Sequence, residues 1–274
     1  MAFTPDGGAL WTVARGSIEI RSWPDLELIA AIPSAVSTRG LQSLAFHPAG
    51  RMAALASGGG VRFLAMDARP LERPVHEFRL EEPPMAIAFG EDGRLLVAGT
   101  SGLSAMSPDG AREPIGTPPA SLPSWIWKAA ILPASGRIVY CANDHPALVY
   151  RWTDGGMQRD DEWAPGLFED DHTSWLGADV APGERALVCG RKSGRTWAVH
   201  LRAGLPVKTV MLEKAQVARS TVFKRPTRTT AHAIHPTEDA VVFAEISGSV
   251  GHSRLSTGER VRELPSHSGG YAWE

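Results

Sequence analysis

Residues 44–56 read LAFHPAGRMAALA and residues 87–99 read IAFGEDGRLLVAG: an apolar strand, a Pro or its substitute, a Gly, then a second apolar strand. Further copies are AAILPASGRIVYCA at 129–142, ADVAPGERALVCG at 178–190 and AHAIHPTEDAVVFAE at 231–245, and the chain opens on a shortened one, MAFTPDGGALWTV. With the turn residue as landmark, the series is Pro5, Pro48, Glu91, Pro133, Pro182 and Pro236, at spacings of 43, 43, 42, 49 and 54 residues. From Pro236 through the C-terminus and round to Pro5 the distance is again 43. A repeat of this length that closes only when the chain is read as a circle predicts an all-β fold, a closed β-propeller of six blades. Seven blades is the alternative, if the two longest intervals hide one more.

The same arithmetic predicts how the ring closes. The first copy begins at Met1 with most of its innermost strand missing, and Gly270-Tyr271-Ala272-Trp273-Glu274 falls where that strand belongs. An unclosed ring would leave two strand edges with unpaired backbone groups, so the C-terminal strand is expected to complete the first blade. The chain then reads as one domain, 1–274, with blades at about 1–36 plus 268–274, 37–80, 81–120, 121–165, 166–213 and 214–267.

Composition narrows the function classes. The 28 Gly and 21 Pro punctuating short apolar runs suit strands and tight turns. A formal net charge of −2 argues against a general nucleic-acid binder. No apolar run reaches the length of a membrane-spanning helix, and the N-terminus lacks the basic and apolar regions of a secretory signal. The two cysteines, Cys141 and Cys189, fall in the second strand of neighbouring repeats and read as buried thiols in a reducing cytoplasm. No Cys/His spacing suggests zinc, and nothing calls for a cofactor.

Third strands end near Trp or a substitute: IEIRSWPD at 18–25, VRFLAMD at 61–67 and LVYRWTDGG at 148–156. With the Thr4-Pro5-Asp6-Gly7 turn, Trp23 and Trp152-Thr153-Asp154, the whole chain resembles a divergent, bacterial-looking member of the WD-repeat family. No repeat carries a contiguous Trp-Asp, and the family's Gly-His start is absent. The resemblance implies a propeller that presents a surface to protein partners.

Candidate site residues are those that break the columns of the repeat. Two before the landmark stand Phe3, Phe46, Phe89, Ile131, Val180 and Ile234, an inter-blade core column. Three before it stand Ala2, Ala45, Ala88, Ala130, Asp179 and Ala233. Small side chains suit the crowded axis, so Asp179 is either a channel-facing ligand or metal carboxylate, or a structural carboxylate bonded to backbone N–H groups or water. Four before the landmark an apolar column (Leu44, Ile87, Ala129, Ala178) meets His232. His232 and His235, three apart on a strand, point to opposite faces and do not suit one metal. Lys128, five before Pro133, could face Asp179 of the next blade as an ion pair.

A second group sits where chain connections converge. Trp125 and Trp127 open one inner strand, and Trp175 lies nearby in the next. These are interface anchors or inter-blade core. Two long connections precede inner strands: 157–173, mostly acidic, with Asp170, Asp171 and His172, and 213–230, basic, with Arg225 and Arg228. Short turns on the same rim add Arg15, Asp144, His145, Arg191 and Lys192. The long loops either face a partner or pair with each other as solvated surface.

No nucleophile elbow, phosphate-cradling loop or His-Glu-x-x-His motif is present. The reading is a non-catalytic scaffold that binds a protein or peptide partner through one rim and its loops, with a small ligand in the axial channel as a further possibility. The alternative is a six-bladed hydrolase or lyase, metal-assisted or not, with Asp179, His145, His172 and His232 at the axial mouth. A purely structural subunit of a larger complex is the third.

Overall fold

A computed structural model describes residues 1–14, 17–33, 43–57, 59–66, 76–116, 122, 126–142, 148–163, 175–191, 196–213, 229–245 and 250–264. These form six four-stranded antiparallel sheets, each with its strands in chain order from inner to outer edge. The sheets span 2–33, 43–79, 86–114, 126–159, 175–213 and 229–264, and are called blades 1 to 6 below. The molecule is a six-bladed β-propeller, without an α-helix among the described residues. No helix there is long and apolar enough to cross a membrane.

Blade packing explains the sequence texture. Middle strands are covered on both faces by neighbouring blades, so they read as continuous apolar runs rather than alternating ones. In blade 3, Leu95–Gly99 and Gly102–Met106 are buried at every residue, while the outermost Arg112–Pro114 is exposed throughout. Six apolar clusters hold the ring, one at each seam. Trp11, Ile18 and Ile32 of blade 1 meet Ala53, Leu55 and Leu64 of blade 2, and Phe63 of blade 2 meets Phe89 and Met106 of blade 3. The sixth cluster joins Phe3, Leu10 and Leu26 of blade 1 to Val242, Ala244 and Val250 of blade 6. That last cluster closes the circle.

The innermost strand of blade 1 is only Ala2–Phe3, pairing with Trp11 and Leu10. The expected strand exchange by 270–274 lies outside the described residues.

The Pro-x-Gly phrase is a turn with a defined job. The N–H groups of Gly7, Gly50 and Gly93 donate to the carbonyls of Thr4, His47 and Gly90 at 2.9, 2.8 and 3.0 Å. Each glycine has φ between 68° and 77°, a left-handed conformation that costs a side-chain-bearing residue about 1–2 kcal/mol. Space is short as well: a Cβ on Gly7 would stand 2.5 Å from the His235 ring, and one on Gly93 would stand 2.7 Å from His47.

Part of what reads as an acidic connection is ordered structure. Gly156–Arg159 is the outer strand of blade 4. Asp160 and Trp163, which follow it, are buried. Asp160 accepts from Arg137 Nε at 2.7 Å, and Trp163 Nε1 donates to the Gly204 carbonyl at 2.8 Å. The basic connection likewise starts on the nine-residue strand Leu205–Glu213 and ends on Thr229–Ile234.

Candidate functional site

Six inner strands converge on the axis and enclose a cavity of about 500 Å³. Its wall is mostly Ala, Phe, Ile and Pro, and its mouth is framed by the landmark turns at Pro5, Pro48, Glu91, Pro133 and Pro182. Lys128, five residues before its turn, lies roughly 16 Å inside at about 3.3 Å per strand residue. Among the described residues the mouth is therefore at the turn rim, opposite the rim to which the long connections lead.

Strand alternation fixes where the column-breaking residues point. Ala130 packs in the seam between blades 4 and 5, and Ile131 in the seam between 3 and 4. Lys128 shares the face of Ala130 and points toward blade 5. Val180 packs against the 4/5 seam, so Asp179 points the other way, toward blade 6. Ile234 packs in the 5/6 seam, so His232, two residues earlier, faces blade 5. Asp179 and His232 thus point into one seam from its two sides.

Asp179 and Lys128 both line the cavity, and their partial exposure is to that enclosed space. Asp179 Oδ1 accepts the N–H of its neighbour Val180 at 3.0 Å. Burial raises the Asp179 carboxyl to about 6, against the pull of Lys128 and of the Met1 amino group. Among the described residues no direct salt bridge joins Lys128 to Asp179; the ammonium acts through space. His232 is 3 % exposed, and neither ring nitrogen has a hydrogen-bond partner. Burial, reinforced by Lys128 and the Met1 amino group, lowers its imidazole to about 3, so the ring is neutral. Beside Lys128, burial pushes the Cys141 thiol up to about 12. Cys141 and Cys189 are both fully buried in the 4/5 seam and are not disulfide-bonded.

The mouth is held by contacts between neighbouring turns that the sequence did not announce. The Glu184 carboxylate reaches from blade 5 to accept the N–H groups of Ala134 and Ser135 in blade 4, the latter at 3.0 Å. Glu184 has φ of 52°, and these bonds offset the strain of that backbone. Arg185 donates to the carbonyls of His235 and Glu238 in blade 6. His235 Nδ1 accepts the N–H of Glu238 at 2.8 Å, leaving Nε2–H to donate to the Gly7 carbonyl of blade 1 at 3.2 Å. Trp23 Nε1 returns the link from blade 1 to Glu238 at 3.0 Å. His47 packs edge-on against Phe89 of blade 3 at 5.1 Å, repeating the His235–Phe3 contact at 4.9 Å. The signal for this device was a His just before Pro, facing a glycine in the next repeat.

The remaining sequence-derived residues fall outside what the structure describes of this site. Trp127, Trp175 and Arg191 lie on described strands, Ile126–Leu132, Trp175–Val180 and Ala186–Arg191, but their side chains are outside the description. Arg15, Trp125, Asp144, His145, Asp170, Asp171, His172, Lys192, Arg225 and Arg228 lie outside the described residues altogether. Among the described residues no three His, Cys, Asp or Glu side chains converge to hold a metal ion.

The sequence matches no family model and no curated protein. In fold, the chain is similar to a chain of the crystal structure of a nidogen/laminin complex. The TM-score is 0.68 at 13% identity, over 97% of this chain and 96% of that one. At that identity the likeness concerns the fold alone.

Proposed function

We propose that this propeller is a cytoplasmic, non-catalytic scaffold, a divergent relative of the WD-repeat proteins, that binds a protein or peptide partner across one rim. The observation that carries the reading is the open axial cavity inside a rim cross-linked by Glu184, Arg185 and His235. A rigid, pre-formed concavity binds without the ordering cost a mobile surface would incur. The cavity wall is apolar apart from a few charged groups, the make-up of a pre-formed ligand site. Among the described residues, no hydroxyl or thiol lining it is hydrogen-bonded to a histidine or carboxylate base. The long connections would then widen the contact on the opposite rim or receive a second partner.

An axial hydrolase or lyase is the second reading. It is favoured by Asp179, a cavity carboxyl poised near 6 where general acid–base work is efficient.

Affinity capture from the native host tests the first reading. The bait is compared with a loop-rim variant (Trp125, Trp175, Arg225 and Arg228 to Ala) and an axial variant (Lys128→Met). A stoichiometric partner is expected, reduced by at least one of the two variants. A folded wild-type bait that captures nothing contradicts the scaffold reading and leaves the enzyme, to be sought by hydrolase and lyase screens with Asp179→Asn as control.

A further inference from the structure

We infer that the axial cavity is a carboxylate-binding site, in which Lys128 receives an acidic group entering between the landmark turns and Asp179 makes that binding proton-linked. The inference rests on the binding reading and names its chemistry: a free small carboxylic acid, or the acidic side chain or C-terminus of a peptide.

Hydrogen-bonding inventory is the first argument. Lys128 offers three N–H donors to the cavity and takes part in no hydrogen bond or salt bridge within the described residues. Among the described residues the neighbouring acidic groups do not supply an acceptor. Glu184 is engaged by two backbone N–H groups, and Asp179 is not in direct contact. An ammonium in an apolar recess without an acceptor is costly, and a carboxylate presented by a ligand removes that cost with a charge-assisted bond. Reach is the second argument. The walls between mouth and Lys128 alternate alanines such as Ala88 and Ala130 with Phe46, Phe89 and Ile131, an apolar passage along which an unbranched chain carries the acid at its tip.

Asp179 supplies the proton linkage. The charged and titratable groups around it are Lys128 from blade 4, the Met1 amino group from blade 1 and His232 from blade 6. Glu91 and Glu184 stand at the mouth, and Cys141 lies behind Lys128. Burial lowers the Met1 amino group to about 6, so it too gains its charge as pH falls through that value and adds to the linkage. His232 and Cys141 are uncharged near neutrality, so among the described residues the group whose charge opposes an incoming carboxylate at depth is ionised Asp179. Because burial raises its carboxyl to about 6, the opposition fades as pH falls through that value. A bound carboxylate favours the protonated form further, so binding takes up protons.

The test is isothermal titration calorimetry on the full chain at pH 5.5, 6.5 and 7.5, in two buffers of different ionisation enthalpy. The probes are glutarate, an acidic hexapeptide with a free C-terminus, and its C-terminally amidated counterpart with Gln in place of Glu. Either acidic probe is expected to bind with uptake of up to about one proton, tightening several-fold from pH 7.5 to 5.5. Lys128→Met should weaken binding roughly ten- to a hundredfold. Lys128→Arg should retain it, which separates charge from folding, and Asp179→Asn should reduce the proton uptake and the pH dependence to the part owed to the Met1 amino group. Glutarate binding alone assigns a small acid, and peptide binding alone assigns a peptide. Absence of binding by both acidic probes, equal binding by the amidated control, or weakening on acidification overturns the inference. If a partner is captured from the host and Lys128→Met binds it unchanged, the carboxylate site fails while the binding reading stands.

Discussion

Asp179→Asn is expected to stabilise the folded ring at pH 7.5 by about 1–3 kcal/mol, and to lose that advantage as the pH falls toward 3. The sign follows from the direction of the shift. An unfolded Asp ionises near 3.8, whereas the folded carboxyl, held up chiefly by burial, ionises near 6. Between those values the folded state keeps a proton the unfolded state has lost. Wild-type stability therefore falls as pH rises through the window, by roughly 1.4 kcal/mol per pH unit. The carboxylate's partial exposure to the cavity places the gain below the full product.

His232 acts in the opposite direction over an overlapping window. Its unfolded imidazole takes a proton near 6.5 and its buried one near 3, so its contribution is lost as pH falls between those values. From about pH 6 to 4 the two slopes nearly cancel in the wild type. Asp179→Asn removes one of them, and the variant becomes steeply acid-sensitive. His232→Leu removes the other. Leucine suits a column that already holds Leu44 and Ile87, and the variant also discards two unbonded ring nitrogens. It should exceed the wild type by about 2–3 kcal/mol more at pH 4.5 than at pH 7.5. Urea unfolding of the three proteins at both pH values reads these differences, and parallel pH profiles would contradict the assignment.

The second large effect lies in blade 4. Arg137 and Asp160 have side chains only 6% and 3% exposed, joined at 2.7 Å, with Arg151 adding a contact to the same oxygen at 3.3 Å. Burial opposes ionisation of Asp160, and the two guanidiniums overcome it, holding the carboxyl below the usual range. Asp160→Ala strands Arg137 in the interior and should cost about 3–5 kcal/mol. Replacing both, as Arg137→Met with Asp160→Leu, should recover most of that loss, because the penalty belongs to the unpaired charge rather than to absence of the bridge. A double-mutant cycle in urea measures both terms. A double variant as unstable as Asp160→Ala would contradict this account.

Sequence revealed the ring more readily than its polar fastenings, for a physical reason. Blade-on-blade packing demands apolar runs in every repeat, and five of the six landmark turns add a left-handed glycine, so the fold is written several times over. Polar contacts occur once each. Asp160 was hidden in a run of acidic residues that reads as solvated loop, yet it is buried because Arg137 faces it across the sheet. Glu184 was hidden because nothing in its own repeat shows that it reaches two N–H groups of the blade before. Asp179, Lys128 and His232 stood out because each interrupts a column of small or apolar residues. Which rim the cavity opens to needed the coordinates: the aromatic and charged loops drew attention to one end, and the described mouth is at the other.

Alanines line the cavity, which makes the central claim directly observable. Protein carrying 13C only in alanine methyl groups is titrated with the acidic hexapeptide and followed by methyl NMR. If the axis is where this propeller meets its ligand, the methyls of Ala86, Ala88, Ala130 and Ala233, all on the cavity wall, shift on titration, while Ala53 and Ala198, buried in blade seams, do not. Saturable binding that moves none of the wall methyls would place the site elsewhere on the ring and contradict the account.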